Sequence, residues 1–352
     1  MSPTEPLSRN PTRRPRAVIF GCAGLRLEPA EFDFFRASNP LGFILFARNC
    51  DSPGQLSRLV ADLRSAVDRP DAPILIDQEG GRVIRMGAPH WRRPPAAGAI
   101  GALAERDRAV GCRAAWLNAR LIAADLCHVG IDVCCLPVLD MHLARASSVV
   151  GDRAFSADVE SIAELGRAAA EGLLAGGVLP VIKHIPGHGR ATSDSHHALP
   201  KVDASLRELE SSDFLPFRAL NDMPIGLTAH VCYQALDADL PGTLSAKVIA
   251  AAIRGSIAFD GLLLSDDLSM QALSGTLGER AEAALAAGCD VALHCNAQPE
   301  EMADIADKVL ELSPAALRRW AIAKNMIFEN KSHNFKELLD ELNILMEVHV
   351  EA

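Results

Sequence analysis

The sequence contains no apolar run approaching the roughly 20 residues that a membrane-spanning helix needs. A short basic segment at residues 13–16 precedes an apolar run at 17–25, an order that imitates a secretion signal. No small-residue cleavage site follows, and the apolar run is needed as a strand. We therefore expect a cytoplasmic protein that does not bind membranes.

No C-x-x-C pair occurs among the nine cysteines, so neither the ligand spacing of a zinc site nor a disulfide framework is indicated. Several of these cysteines lie inside apolar runs, which is typical of reduced core thiols in a cytosolic protein. Apart from residues 13–16 the chain also lacks a basic block, and its formal net charge is −10. Since nucleic-acid binding requires a basic face, we expect no such partner.

Short runs of Val, Ile, Leu and Cys recur along the chain without the alternation of a half-exposed sheet, which is typical of parallel strands buried on both faces. Eight strands are predicted, at 17–21, 42–46, 73–76, 132–136, 179–183, 225–229, 261–265 and 291–295. Helices are predicted at 28–36, 52–67, 104–128, 157–176, 205–220, 245–256, 277–287 and 299–312. Eight strand-then-helix units predict an α/β fold, a single (β/α)8 TIM-type barrel.

The ends of the chain differ from this pattern. Residues 1–16 are rich in Pro, Ser, Thr and Arg and predict a flexible tail. Residues 313–352 predict a helical C-terminal extension, in which four leucines at 338, 339, 342 and 345 suit packing on the barrel exterior. With neither internal repeat nor linker, residues 17–312 are expected to form one barrel domain.

The loop at residues 183–200 follows the fifth predicted strand and is dense in His, Lys, Gly and Asp. Gly187 and Gly189 permit unusual backbone angles, whereas Pro186 restricts them, so the loop is expected to hold a defined shape. Asp194 and His196 lie two residues apart, close enough for the carboxylate to orient the imidazole. Such a pair can transfer protons near neutral pH.

Polar residues also follow most of the other predicted strands. Because catalytic residues of such barrels come from the carboxyl ends of strands, we expect a site at that end. Taken singly, each residue has a structural explanation, such as a helix N-cap for Asp77 or a hydrogen-bonded core imidazole for His230. The residues in question are Arg48, Asn49, Asp77 to Arg82, Asp140, Lys183, His184, His230, Asp266, Asp267 and His294 to Asn296.

Over residues 17–300 the chain resembles the bacterial β-N-acetylglucosaminidases of glycoside hydrolase family 3 that act in cell-wall recycling. The resemblance is carried by the motifs LFARN (45–49), DQEGGRVIR (77–85), GDRAF (151–155), KHIPGHG (183–189) with DSH (194–196), and SDDLSM (265–270). The chain departs from the family at Ile185, where Phe is usual, and residues 141–146 do not align.

The resemblance implies that Asp266 is the nucleophile and that His196, supported by Asp194, is the general acid/base. It also implies that five residues bind the terminal N-acetylglucosamine, namely Asp77, Arg85, Arg153, Lys183 and His184. Glycoside hydrolysis needs a carboxylate and a proton donor, usually a second carboxylate. An imidazole tuned by Asp194 can fill that second role at neutral pH. Asp267 is expected to bond backbone or a neighbouring base.

The expected activity is therefore removal of non-reducing terminal N-acetylglucosamine from muropeptide fragments, with retention of configuration and without a metal or organic cofactor. The expected partner is this small carbohydrate, and the protein is expected to be a monomer. Two alternatives are a metal-dependent hydrolase with His184, His230 and Asp266 as ligands, and a sugar-binding protein without turnover. The metal alternative lacks an H-x-H after the first strand, where residues 20–22 read FGC.

A third alternative concerns the acceptor. A carboxylate base would repel an anion, whereas an imidazole with Lys183 and Arg190 nearby would not. Phosphate could then compete with water for the glycosyl-enzyme, and the protein would be a phosphorylase that uses the same residues. Hydrolysis remains the primary expectation.

Overall fold

The computed structural model describes residues 14–143, 150–191, 199–327 and 334–347, and in this part of the chain eight parallel strands close into a barrel. Going round the barrel, the strand order is β1, β10, β9, β7, β5, β4, β3, β2. The strands are β1 (Arg16–Gly21), β2 (Pro40–Leu45), β3 (Ile74–Ile76), β4 (Val133–Cys134), β5 (Leu179–Ile185), β7 (Ile225–Thr228), β9 (Leu262–Asp267) and β10 (Val291–His294). A two-stranded parallel sheet pairs β6 (Lys201–Val202) with β8 (Cys232–Tyr233).

Each of the eight predicted strands overlaps one strand of the barrel, so the predicted fold class is confirmed. Every residue of β2, β5 and β10 is buried, because side chains on one face fill the barrel and those on the other pack against helices. β1 begins at Arg16, and the rest of the predicted N-terminal tail falls mostly outside the described residues.

Helices surround the barrel. They are α1 (Pro29–Ser38), α2 (Pro53–Ala66), α3 (Ala97–Arg106), α4 (Arg108–His128), α5 (Val159–Ala175), α6 (Leu206–Ser211), α7 (Phe214–Ala219), α8 (Ala246–Val248), α9 (Leu277–Ala287), α10 (Pro299–Lys308), α11 (Pro314–Lys324) and α12 (Phe335–Glu347). α8 continues as a π-helix over Ile249–Ser256. Short 3-10 turns lie at Ala47–Asn49, Gly151–Arg153 and Gly242–Leu244.

Two predicted helices were wrong in their continuity. The predicted helix at 104–128 is divided between α3 and α4, because the carboxylate of Asp107 accepts hydrogen bonds from the N–H groups of Ala109 and Val110 and begins a new helix. The predicted helix at 205–220 is divided between α6 and α7. Its break falls at Ser212, whose hydroxyl bonds back to the carbonyl of Glu208.

The C-terminal helix α12 packs on α4, as the leucine spacing predicts. Leu338 and Leu342 are buried in this contact. Arg113 of α4 adds a two-pronged ion pair to Glu341, with both nitrogen–oxygen distances 2.7 Å. Helix α11 lies within the helical extension predicted for residues 313–352. No helix in the described ranges combines the length and apolar character that spanning a membrane requires.

Candidate active site

A pocket of about 360 Å³ opens at the carboxyl ends of the barrel strands. This volume lies in the range of small-molecule sites. The Asp, Glu, Arg, Lys and His residues that line it are Asp77, Glu79, Arg82, Arg85, Arg153, Lys183, His184, His188, Asp266 and Asp267. The less polar part of the lining includes Cys135, Leu227, Leu293 and Cys295. The pocket therefore includes Asp266 and all five residues predicted to bind the sugar.

One wall of the pocket is a cluster of two carboxylates and three cations. The ammonium of Lys183 lies 2.7 Å from Asp77 Oδ1 and 2.7 Å from Glu79 Oε1. The guanidinium of Arg153 forms two 2.8 Å hydrogen bonds to Glu79. Arg85 donates to Asp77 at 3.2 Å. These five residues connect the end of β3 to β5 and to the turn that contains Arg153.

The charges in this cluster stabilise one another. Burial disfavours the ionised form of Asp77, but Lys183 and then Arg85 outweigh it and hold the pKa of that carboxyl well below its usual range. Against the same cost of burial, Lys183 and Arg153 lower the pKa of Glu79. Burial works against the charge of Lys183 too, but Asp77 and Glu79 raise the pKa of that ammonium. Asp77, Glu79 and Lys183 are therefore charged at neutral pH.

A hydrogen bond to the buried carboxylate of Asp140 orients the ring of His184. Its Nδ1 lies 2.6 Å from Asp140 Oδ2, and Asp140 also accepts a 2.7 Å hydrogen bond from the backbone N–H of His188. Burial opposes ionisation of Asp140, but His184 lowers its pKa to about 2. Because Nδ1 bonds Asp140, Nε2 is the ring nitrogen of His184 that can bond a ligand in the pocket.

His188 lies beside His184 in the same pocket, with the two ring centroids 5.8 Å apart. Burial lowers the pKa of His188 to about 4, although Asp140 acts in the opposite direction. The imidazole of His188 is therefore neutral at physiological pH.

The adjacent residues Asp266 and Asp267 at the end of β9 have different surroundings. The carboxylate of Asp267 accepts hydrogen bonds from the backbone N–H groups of Ser269 and Cys295, each at 3.1 Å, and from the Ser269 hydroxyl at 2.6 Å. The carboxylate of Asp266 accepts one described hydrogen bond, 2.8 Å from the N–H of Asp267. Asp266 is thus the less engaged carboxylate of the two within the described part of the chain.

Asp266 is ionised despite its position. Burial favours the neutral acid, but His230 and then His184 outweigh this effect, so the pKa of Asp266 is lowered. A partly exposed, ionised carboxylate that is not paired with a cation within the described residues can act as a nucleophile.

Several polar residues predicted at the barrel mouth have structural roles outside the pocket. Asn49 is buried and donates to the carbonyls of Cys22 and Gly24. His294 is buried, and its ring is nearly perpendicular to that of Phe20, with the ring centroids 6.2 Å apart. Successive side chains along a strand point to opposite faces. Because Leu293 and Cys295 line the pocket, His294 between them points away from it.

The metal-site alternative is not supported by the geometry of His230. Its Nδ1 lies 2.7 Å from the hydroxyl of Thr243 and its Nε2 lies 2.9 Å from the carbonyl of Asp267. Both ring nitrogens are therefore engaged. Among the described residues, no group of three or more His, Cys, Asp or Glu side chains is arranged to hold a metal ion.

Asp194 and His196 lie outside the described residues. The segments on either side of them are described. Before the gap, Arg190 donates at 2.7 Å to the buried carboxylate of Asp213. After it, β6 pairs with β8, and the N–H of Cys232 donates to the carbonyl of Pro200 at 2.9 Å.

From the sequence, Glu79 was placed only in the polar run after the third strand and His188 only in the motif at 183–189, and neither was assigned a role. For Glu79 a signal existed, since it follows Asp77 by two residues and side chains two apart in extended backbone share a face. For His188 and for the thiol of Cys135 the loop path and barrel closure decide the position, so the sequence carries no comparable signal.

Comparison with known proteins gives a consistent result. The family model described as the N-terminal domain of glycosyl hydrolase family 3 matches residues 37–323. The β-hexosaminidase of Chromobacterium violaceum is 41% identical over 290 residues, which cover 81% of this chain and 79% of that protein. The β-hexosaminidase of Methylococcus capsulatus is 40% identical over 309 residues, covering 86% and 90% respectively.

A solved structure is also similar along nearly its whole length. The crystal structure of NagZ from Neisseria gonorrhoeae in complex with N-trifluoroacetyl-D-glucosamine superposes with a TM-score of 0.86 at 32% identity. The match covers 95% of this chain and 98% of that one.

Proposed function

This chain belongs to glycosyl hydrolase family 3 and is a β-hexosaminidase, and from that premise we propose that it removes N-acetylglucosamine from the non-reducing ends of muropeptide fragments in the cytoplasm. The reaction retains configuration and proceeds through a covalent glycosyl-enzyme on Asp266. The observation that carries the mechanism is the difference between Asp266 and Asp267: both line the pocket, but within the described residues the Asp266 carboxylate accepts one hydrogen bond and the Asp267 carboxylate accepts three.

In the first step, Asp266 attacks the anomeric carbon while a proton donor releases the leaving group. His196, assisted by Asp194, is proposed as that donor and as the base that activates water in the second step. The pocket itself supports the assignment of a donor from elsewhere, because burial lowers the pKa of His188 to about 4 and its imidazole is neutral at physiological pH. His188 is therefore not an effective acid at neutral pH.

The cluster of Asp77, Lys183 and Arg153 is proposed to bind the hydroxyls of the terminal sugar. Its charged donors and acceptors are fixed by their mutual ion pairs before a ligand arrives, which reduces the cost of ordering on binding. A substrate lacking a matched hydroxyl would leave a buried charged group unpaired, and this gives specificity. The N-acetylglucosamine analogue bound by the Neisseria gonorrhoeae NagZ supports this class of sugar.

The resemblance to the bacterial family supports a muropeptide substrate from cell-wall recycling and a cytoplasmic location for the protein. All nine cysteines are unpaired, which supports a reducing compartment.

The charges in the structure do not favour phosphate as the acceptor. Both cations invoked for that alternative have carboxylate partners, because Lys183 pairs with Asp77 and Glu79 while Arg190 pairs with Asp213. We therefore retain hydrolysis as the proposed reaction.

Incubation of the purified protein with 4-nitrophenyl N-acetyl-β-glucosaminide, followed by proton NMR, tests both activity and stereochemistry. The β-anomer of free N-acetylglucosamine should appear first. Initial release of the α-anomer would overturn the retaining mechanism, and absence of turnover would favour the sugar-binding alternative. Phosphorus NMR of the same reaction with millimolar phosphate should show no sugar phosphate.

The role of His196 is tested by varying the leaving group. His196→Ala should slow glycosyl transfer from a disaccharide far more than from a nitrophenyl glycoside, because only the poorer leaving group needs the proton. Equal losses on both substrates would remove His196 from the mechanism.

A further inference from the structure

A closed ring of hydrogen bonds lies behind Asp266. The N–H of Asp266 donates to Thr228 Oγ1 at 3.2 Å, and this hydroxyl lies 2.7 Å from Thr243 Oγ1. Thr243 Oγ1 lies 2.7 Å from His230 Nδ1, and His230 Nε2 lies 2.9 Å from the carbonyl oxygen of Asp267. The ring therefore begins and ends on the same pair of residues at the end of β9.

The direction of each bond follows from the two ends. A backbone N–H can only donate and a carbonyl can only accept, so His230 donates from Nε2 to Asp267. With a neutral imidazole, Thr228 accepts from Asp266 and donates to Thr243, which in turn donates to Nδ1. Every member is then satisfied.

The same ring also accommodates a protonated His230. In that state Nδ1 donates to Thr243, whose hydroxyl turns to the carbonyl of Ala229, 3.2 Å away. No buried polar atom in the ring loses its partner in either state. Thr228, Thr243 and His230 are all fully buried, where an unmatched hydroxyl or ring nitrogen would be costly.

Sequence and topology explain why these residues meet. β7 ends at Thr228, and the chain leaves the barrel only to return at the 3-10 turn Gly242–Leu244, where the N–H of Gly242 donates to the carbonyl of Val231. This return brings Thr243 beneath β7 and against His230. The neighbouring strand β9 then supplies Asp266 and Asp267.

We infer that Thr243 and His230 are positioning residues for Asp266, fixing the Asp266–Asp267 backbone so that the Asp266 carboxylate faces the anomeric carbon. This inference rests on the proposed role of Asp266 as nucleophile. The N–H of Asp267 already holds one oxygen of the Asp266 carboxylate at 2.8 Å, so restraint of this backbone is passed directly to the reacting group. His230 is also the foremost of the groups that keep this carboxyl ionised against its burial.

The test cuts the ring with the nearly isosteric substitution Thr243→Val. Attack on the sugar and its later release both involve the Asp266 carboxylate, so the rates of glycosylation and deglycosylation should fall by a similar factor. We expect about 10²-fold, the scale of a small misplacement of a reacting group. The loss should be equal for good and poor leaving groups, and the dissociation constant for N-acetylglucosamine should stay within about twofold.

Thr243→Ser restores the hydroxyl and should recover most of the rate. Thr228→Val cuts the ring at a second link and should reproduce the kinetic pattern if Thr243→Val does not fold. Ser245→Ala is a matched control, because this buried hydroxyl bonds Asp237 at 2.7 Å and lies outside the ring. It should lower stability without changing kcat.

Parental rates in Thr243→Val or Thr228→Val would overturn the inference, as would a loss confined to ligand affinity. Failure of the proposed function gives a different result, since the parent protein would then not be labelled on Asp266 by a fluorinated N-acetylglucosaminide. Labelling of Asp266 in the parent, with no rate change in the ring variants, would contradict only the positioning role.

Discussion

The two walls of the pocket hold their carboxylates in different ways. On the wall built from β3 and β5, Asp77 and Glu79 are bonded to Lys183, Arg85 and Arg153. On the wall built from β7 and β9, the described hydrogen bonds of Asp266 are one that its carboxylate accepts from the backbone N–H of Asp267 and one that its own N–H donates to Thr228.

Under the proposed function, the first wall binds the sugar and the second carries out the chemistry. A carboxylate paired with a cation keeps its charge but has less electron density to offer, and it suits recognition of sugar hydroxyls. A carboxylate that stays ionised without a direct cationic partner keeps its nucleophilicity. The comparison therefore predicts large catalytic effects on the β9 wall and large effects on folding at the opposite wall.

The largest effect is expected at Asp266, the proposed nucleophile. Asp266→Asn should reduce kcat by at least about 10⁴-fold, because an amide cannot form the covalent intermediate. The circular dichroism and the melting temperature should change little. Asp267→Asn is the matched control and should retain measurable turnover while melting at a lower temperature, because Asp267 accepts three hydrogen bonds that support the end of β9. A larger loss of kcat in Asp267→Asn than in Asp266→Asn would contradict the proposed roles of the two carboxylates.

Next in size is the loss of the central cation on the opposite wall. Lys183→Met leaves Asp77 and Glu79 close together without their shared ammonium, and Lys183 is only 3% exposed. Removing one partner of a buried ion pair costs about 3–5 kcal/mol, so the urea midpoint should fall clearly. A free energy of unfolding within about 1 kcal/mol of the parent would contradict the view of this cluster as a coupled unit.

The pH dependence of stability should reflect His188 and Asp140. The pKa of His188 is about 4 in the folded protein and about 6.5 when unfolded, so the unfolded state binds more protons between these values and stability falls as the pH decreases through them. Asp140, with a pKa of about 2, contributes stability that is complete above about pH 4 and is lost as the pH approaches 2.

Urea denaturation at a series of pH values checks this prediction. His188→Asn should make the profile less steep between pH 6.5 and 4 without flattening it, because burial also lowers the pKa of His294 to about 4 and that imidazole contributes over the same range. The loss of stability below pH 4 should remain. An unchanged slope between pH 6.5 and 4 in the variant would mean that other groups cause it.

The smallest effect is expected at the rim. Arg82 lies 2.8 Å from Asp152, but the two side chains are 48% and 50% exposed. An exposed pair of this kind contributes about 0–1 kcal/mol, so Arg82→Gln should change the free energy of unfolding by less than that. A loss as large as that of Lys183→Met would show that the geometry of a pair matters here more than its burial.

The barrel was predictable because each of its strands is a short, continuous apolar run in the sequence. Such runs are typical of parallel strands that are buried on both faces. The breaks between α3 and α4 and between α6 and α7 were not predicted, because a single side chain such as Asp107 decides them by capping. The helical pattern on either side continues across the break.

The site was predictable in part for similar reasons. Polar residues at strand ends converge in a barrel, and family motifs supplied Asp77, Lys183 and Asp266. The pairing of Asp140 with His184 and the ring through Thr243 depend on how distant loops return to the barrel. Such contacts join residues tens of positions apart, and the sequence gives no local signal for them.

The central claim is that Asp266 is the nucleophile, and covalent trapping tests it most directly. A 5-fluoro-substituted N-acetylglucosaminide should inactivate the protein with a mass increase equal to one glycosyl group. After proteolysis, tandem mass spectrometry should locate that group on Asp266. Location on Asp267 or on Asp77, or inactivation of Asp266→Asn at the parental rate, would contradict the account.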